Sequence, residues 1–179
     1  TTGQPKGVMH TQNTLNAAVD LFEETVCDGV PSPAGTSAGP GYTFHMASTL
    51  AHQTGYLYGI RVPLTLGGHV VLQDIWDPNE FVDLIERHEI QISMGATPFL
   101  ADVLAVDRLE ERNLESWKRF VCAGAAVPEP VLEQADATLP CVVLPGWGMT
   151  ECALLTVGRP SDSLTLRLTD GSPLPGNEV

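Results

Sequence analysis

The chain has 179 residues, with 9 basic and 22 acidic side chains, a formal net charge of −13, 43% hydrophobic residues and 17% charged ones. That composition excludes intrinsic disorder, and a chain of this length can bury roughly 70% of its unfolded surface in a core. The acidic balance excludes a nucleic-acid surface, which needs a Lys/Arg stripe, and disfavours docking on anionic membranes. No run approaches the roughly 18 apolar residues of a membrane span, and no charged-then-apolar leader reads as a secretion signal.

The sequence opens on Thr1 inside a Gly/Pro/Lys turn and stops at Val179 with no closing element, which predicts a piece of a larger protein. Residues 11–26 read as an amphipathic helix, because Leu15, Ala18, Val19, Phe22 and Val26 recur at helical spacing. Residues 29–41 hold seven Gly or Pro in thirteen positions and read as a loop. Residues 42–66 are apolar and rich in small side chains, and read as a short strand followed by a helix carrying His52.

Next, Val70-Val71-Leu72 forms a β-branched run. Asp77-Pro78-Asn79-Glu80 supplies an N-cap, a proline at the first helical position and a glutamate at the third. Phe81, Leu84, Ile85 and His88 continue on one face of that helix. Residues 90–94 read as a strand. Thr97-Pro98 starts a helix bearing Leu100, Val103 and Leu104. Phe120-Val121-Cys122 is a strand, residues 128–137 a helix and Cys141-Val142-Val143-Leu144 a strand. Such alternation predicts an α/β fold with a largely parallel sheet and crossover helices over residues 42–160. Leu164, Leu166 and Leu168 alternate with Thr165 and Arg167 before Asp170-Gly171. This predicts a half-exposed strand and turn outside the parallel sheet, a C-terminal β segment starting within residues 161–179.

Cys27, Cys122, Cys141 and Cys152 show no metal-ligand spacing and read as small buried hydrophobes in a reducing compartment, the cytoplasm. His45, His69 and His88 read as structural. In open parallel sheets ligands sit beyond the carboxyl ends of the strands. Three strand ends here run into small residues: Gly95-Ala96-Thr97, Ala123-Gly124-Ala125-Ala126 and Pro145-Gly146-Trp147-Gly148-Met149-Thr150-Glu151. The third offers an aromatic face, a hydroxyl and a carboxylate, suited to a base, a phosphate and Mg²⁺. It reads equally as a strand-end turn with a buried tryptophan. Thr1-Thr2-Gly3-Gln4-Pro5-Lys6-Gly7 combines backbone N–H groups, hydroxyls and one of only two lysines, which suits phosphate oxygens, although it is not the common P-loop. Alone it reads equally as a solvent-facing turn. The two segments occurring in one chain favour a joint nucleotide site.

Together these segments resemble the adenylate-forming (AMP-dependent synthetase/ligase) superfamily, which includes acyl-CoA synthetases, luciferases and peptide-synthetase adenylation domains. The opening TTGQPKGVMHTQ resembles the family's Ser/Thr-Gly-rich phosphate loop. Gly146-Trp147-Gly148-Met149-Thr150-Glu151 resembles its Tyr/Trp-Gly-x-Thr-Glu motif, and residues 170–179 its Gly-x-Pro-x-Pro-Gly-x-Glu segment. The resemblance covers the whole chain as an internal fragment of the AMP-binding N-terminal domain, residues 1–28 being the phosphate loop and following helix. It implies that Thr1, Thr2, Gly3 and Lys6 wrap the ATP β- and γ-phosphates. It also implies that Trp147, in the stretch from Gly146 to Met149, flanks the adenine, and that Gly124, Ala125 and Ala126 border adenine and the acyl pocket. Thr150 then bonds the α-phosphate or the substrate carboxylate, and Glu151 binds Mg²⁺. His52 matches a His-x-x-Gly position at the acyl end. Amino-acid-activating relatives place an Asp hereabouts, so a His with apolar neighbours implies a fatty, alicyclic or aromatic acid.

The implied activity is ATP-dependent formation of an acyl adenylate, followed by thioester formation with CoA. The C-terminal lid with its catalytic lysine, the ribose-binding segment and the N-terminal subdomain are not part of the 179 residues, so the piece alone is expected to be inactive. Two alternatives stay open at this level: an adenylation enzyme loading a carrier protein, and a non-catalytic nucleotide-binding module.

Overall fold

A computed structural model describes residue 3 and residues 6–32 and 41–178 of the protein. Helix α1 spans Gln12–Val26. Its start is fixed locally by a reciprocal cap. The Thr14 N–H donates to Thr11 Oγ1 at 3.1 Å, and the Thr11 N–H donates to Thr14 Oγ1 at 3.0 Å. This satisfies two of the donors that a helix end leaves free. The predicted stripe turns inward, with Val19, Phe22 and Val26 buried.

Strand β1 is Thr43–Met46. After it come α2, Gln53–Tyr56, a π-helical turn over Leu57–Arg61 and α3, Val62–Thr65, which form one run of helix. Two glycines let that run lie close to β1 and the loop after it. A Cβ on Gly55 would stand 2.2 Å from the Thr49 carbonyl oxygen, and one on Gly59 2.6 Å from Met46 Cγ. Strand β2 (His69–Leu72) precedes α4 (Pro78–His88), whose N-terminus is capped as the sequence predicts: Asp77 Oδ1 accepts from the Asn79 N–H at 2.8 Å and the Glu80 N–H at 3.3 Å. Strand β3 (Ile92–Gly95), α5 (Thr97–Leu104), β4 (Arg119–Ala123), α6 (Glu129–Thr138) and β5 (Val142–Met149) complete the alternation.

The strands form one seven-stranded sheet in the order β2-β1-β3-β4-β5-β6-β7, where β6 is Ala153–Val157 and β7 is Ser172–Pro173. The first five strands are parallel and the last two antiparallel. Successive residues of β4 and β5 therefore serve opposite faces. Val121 and Leu144 pack with α1 and the α2–α3 run, while Phe120, Cys122 and Val143 pack with α4, α5 and α6. Helices on both faces account for the unbroken apolar strands. Trp117 is fully buried, and its indole N–H donates to Ser93 Oγ at 2.7 Å, which satisfies two polar groups inside the second cluster.

Two expectations need correction. Residues 164–168 are not a strand: Leu164–Arg167 is a helical turn, α7, whose Ser163 Oγ accepts from the Leu166 N–H at 3.4 Å. Its Arg167 is buried, and the guanidinium pairs with both carboxylate oxygens of Asp136 on α6, one contact being 2.8 Å. A four-residue alternation fits a strand or a single helical turn equally, and the distant carboxylate decides between them. The expected C-terminal β segment is present as β7, which lies beyond the parallel strands and pairs antiparallel with β6 at the edge of the sheet. Residues 146–149 are not a strand-end turn. β5 continues through them and pairs with β6, with a register shift between Trp147 and Gly148.

Candidate active site

The carboxyl ends of β1, β3 and β4, the α2 segment and the tip of the β5–β6 hairpin enclose a cavity of about 590 Å³. Its walls include His52, Gly124, Gly148, Met149, Thr150 and Glu151, six of the residues singled out from sequence. The fold brings them together from three separate connections, as expected for an open parallel sheet.

Two polar wall groups, His52 and Tyr58, are oriented by hydrogen bonds. His52 caps α2, its Nδ1 accepting from the Thr54 N–H at 3.2 Å. In the neutral ring the proton therefore sits on Nε2, which remains a donor. Tyr58 is buried, and its hydroxyl oxygen accepts from the Leu154 N–H at 2.9 Å. Burial pushes the phenol pKa up, so Tyr58 stays neutral and keeps its O–H proton. Thr97 Oγ1 lies 3.2 Å from the carbonyl oxygens of Ala125 and Ala126 and donates to this turn, which shapes the segment after β4. Cys122 beneath it is buried, and burial raises its thiol to about 11, so it is an inert packing group. Burial likewise raises Cys27 and Cys141, and all four cysteines are free.

Gly148 shows how tightly the hairpin closes. A Cβ there would lie 2.0 Å from the Ala153 carbonyl oxygen. The tip is a short turn in which the Cys152 N–H donates to the Met149 carbonyl at 3.1 Å, and Thr150 and Glu151 occupy its exposed corner. Among the described residues no group of three or more His, Cys, Asp or Glu is placed to hold a metal ion. Glu151 fits a different need. Mg²⁺ is commonly held by one or two carboxylates together with substrate phosphates and water, so a single exposed carboxylate beside a cavity is a sufficient protein contribution.

Other predicted residues lie elsewhere. Trp147 is 40% exposed and Gly146 is buried within β5; neither lines the cavity, nor do Ala125 and Ala126. Gly3, with φ of 134°, and Lys6 are exposed and also outside its walls. Thr1 and Thr2 lie outside the described residues. Sequence reasoning missed Tyr58, Phe99 and Gln53 in the cavity wall, and His10, whose Nε2 lies 2.7 Å from the Thr150 carbonyl oxygen. Phe99 had a usable signal, since it stands on the first turn of the helix after a strand-ending glycine. His10 had none, because its partner is 140 residues away. No helix among the described residues is long and apolar enough to cross a membrane.

A doubly covered sheet with a cavity at the carboxyl ends of its parallel strands, bordered by a Thr-Glu hairpin tip, is the arrangement in which open α/β sheets bind ligands. The chain matches the AMP-binding enzyme family over residues 1–179 and belongs to it. Among curated relatives, it is 31% identical to the medium-chain fatty-acid–CoA ligase of Escherichia coli strain K12 over 180 residues, which covers 100% of this chain and 30% of that one. It is 28% identical to a feruloyl-CoA synthase of an Amycolatopsis species over 196 residues, covering 99% of this chain and 37% of that one. Among solved structures, it superposes on the o-succinylbenzoate CoA synthetase of Bacillus subtilis in complex with an acyl-adenylate intermediate. That match has a TM-score of 0.78 at 26% identity and covers 97% of this chain and 33% of that one. The chain thus spans about a third of the length of the proteins it matches.

Proposed function

We propose that the full-length protein activates a carboxylic acid with ATP, forming an acyl adenylate and pyrophosphate, and then transfers the acyl group to CoA. The convergence of His52, Gly124, Thr150 and Glu151 on one cavity carries this reading. The relatives named as CoA ligases and synthases agree with it.

The chemistry needs no protein nucleophile. A carboxylate oxygen of the acid attacks the α-phosphorus, and the bond to the pyrophosphate oxygen breaks as the new one forms. The enzyme's contribution is then positioning and charge neutralisation. The Nε2–H of His52 is assigned to the acid's carboxylate and the Thr150 hydroxyl to the α-phosphate. Glu151 is the proposed magnesium ligand, and Gly3 and Lys6, with Thr1 and Thr2, the proposed phosphate loop. Magnesium would supply charge neutralisation of the polyphosphate. Gly124 has a φ of 92°, and a Cβ added there would meet nothing within 4 Å, which leaves room for the adenylate to approach the backbone. Trp147, Gly146 and the turn at Ala125 and Ala126 are assigned to the adenine side, outside the cavity.

The acyl part falls against Met94, Phe99, Met149 and Leu154. Among the described residues, the cavity walls carry no ionisable group apart from Glu151 at the rim, the imidazole of His52 and the neutral Tyr58. That favours an uncharged fatty, alicyclic or aromatic acyl group over an amino acid, whose ammonium would need a carboxylate. The four free cysteines suit a reducing compartment such as the cytoplasm. The test is acid-dependent ATP–pyrophosphate exchange by the full-length protein across a panel of fatty, alicyclic, aromatic and amino acids. Exchange with the uncharged acids, and thioester formation when CoA is added, is expected. No exchange with any acid overturns the proposal.

A further inference from the structure

His10 joins the two segments that carry the proposed phosphate and metal ligands. Its Nε2 is 2.7 Å from the Thr150 carbonyl oxygen. A carbonyl oxygen only accepts, so Nε2 carries the proton whether the ring is neutral or charged. The residue stands between Lys6-Gly7 and Thr11, the cap of α1, and is therefore mounted on an anchored helix start.

The hairpin tip has less support of its own. The turn is closed by Cys152 alone, whose N–H donates to the Met149 carbonyl at 3.1 Å and whose thiol donates to the same oxygen at 3.9 Å. The ladder beneath shifts register between Trp147 and Gly148, and Ala153 takes a left-handed φ of 60°. Among the described residues neither the Thr150 hydroxyl nor the Glu151 carboxylate has a hydrogen bond or ion pair. The His10 bond to the Thr150 backbone is thus a lateral tether on the peptide that precedes Glu151.

We infer that His10 is a positioning residue that sets the hairpin tip, and with it the Thr150 hydroxyl and the Glu151 carboxylate, relative to the start of α1. The inference rests on the proposed roles of Thr150 and Glu151. Its effect falls on the metal and polyphosphate end of the site. The acyl end is held by other bonds, those of His52 to the Thr54 N–H and of Tyr58 to the Leu154 N–H. One net hydrogen bond corresponds to a roughly three- to tenfold change in an equilibrium constant.

The test compares full-length wild type with His10→Ala and His10→Gln; the glutamine side-chain N–H₂ reaches about as far as Nε2 and can donate to the same carbonyl. Calorimetry measures ATP binding as a function of magnesium concentration, and separately the binding of an acid that wild type accepts. For His10→Ala we expect ATP affinity to fall by about three- to tenfold at limiting magnesium, with a higher magnesium requirement. Acid affinity should be unchanged and His10→Gln should recover most of the loss. A loss of melting temperature with unaltered magnesium dependence would mean that His10 only staples α1 to the hairpin, and would overturn the inference. Equal defects in both variants would overturn it too. If wild type itself binds no Mg·ATP, the proposed function fails first and the inference with it.

Discussion

Gly148→Ala is the sharpest perturbation available at this site, because the obstruction is backbone. The added methyl would meet the Ala153 carbonyl oxygen at 2.0 Å, its carbonyl carbon at 2.8 Å and Leu154 Cα at 2.9 Å. Ordinary carbon–oxygen contact is above about 3 Å, and nothing at the end of a flexible side chain can swing away, so β5 and β6 must part by about 1 Å. Overpacking of this kind costs about 1–3 kcal/mol and should lower the melting temperature of the domain. The functional effect should be larger. Thr150 and Glu151 ride on the turn that opens, and a displacement of about 1 Å at reacting groups can cost on the order of 100-fold in rate. Thermal melting and pyrophosphate exchange, measured on the same preparation of full-length protein, separate the two effects. Gly158→Ala is the control, since a Cβ there makes only ordinary contacts, the nearest at 3.4 Å from Pro145 Cδ. A Gly148→Ala protein that melts and turns over like wild type would refute the claim that hairpin closure positions the pair.

Three further outcomes follow from buried groups. Tyr58→Phe strips the Leu154 N–H of its buried acceptor and should cost about 1–3 kcal/mol in urea denaturation; an unchanged midpoint would show that water replaces the phenol. Arg167→Met removes a buried guanidinium whose partner Asp136 is solvent-exposed, and should destabilise by about 1–2 kcal/mol in urea denaturation; an unchanged midpoint would argue against the pairing as the organiser of α7. His45, buried against Phe81 with Nε2 3.2 Å from Gln73 Oε1, is held neutral because burial lowers its pKa from 6.5 to about 4. The unfolded chain therefore takes up the proton first. This stability contribution is complete above pH 6.5 and is lost as pH falls towards 4, with a ceiling of about 3 kcal/mol. In His45→Gln the pH dependence of stability over that window should flatten, which chemical denaturation at several pH values would detect.

Much of the architecture was legible because its signals are local. The Asp77-Pro78 start of α4 and the stripe of α1 each lie within a few residues of the structure they specify, and the apolar strands separated by helical segments announced a parallel sheet. Failures came where a short segment fits two conformations. β6 carried no reading at all, although Ala153-Leu154-Leu155-Thr156-Val157 is an apolar run, and without it the extension of β5 through Trp147 and Gly148 could not be inferred. The site followed the same division. His52, Gly124, Thr150 and Glu151 were picked out by residue type and motif and meet at one cavity, while Trp147, from the same motif, faces elsewhere.

By itself, then, the sequence determined the elements whose caps and periodicity are written within one or two turns of chain, and the identity of the groups available for chemistry. The tertiary structure alone decided which of those groups share a cavity, that residues 146–149 are strand, that residues 164–167 are helix, and that His10 reaches the peptide before Glu151. The physical reason is of two kinds. The Arg167–Asp136 and His10–Thr150 contacts join residues 31 and 140 apart, so no window of sequence contains both halves, whereas residues 146–149 become strand by pairing with the nearby run 153–157, whose backbone bonds leave little mark on residue type.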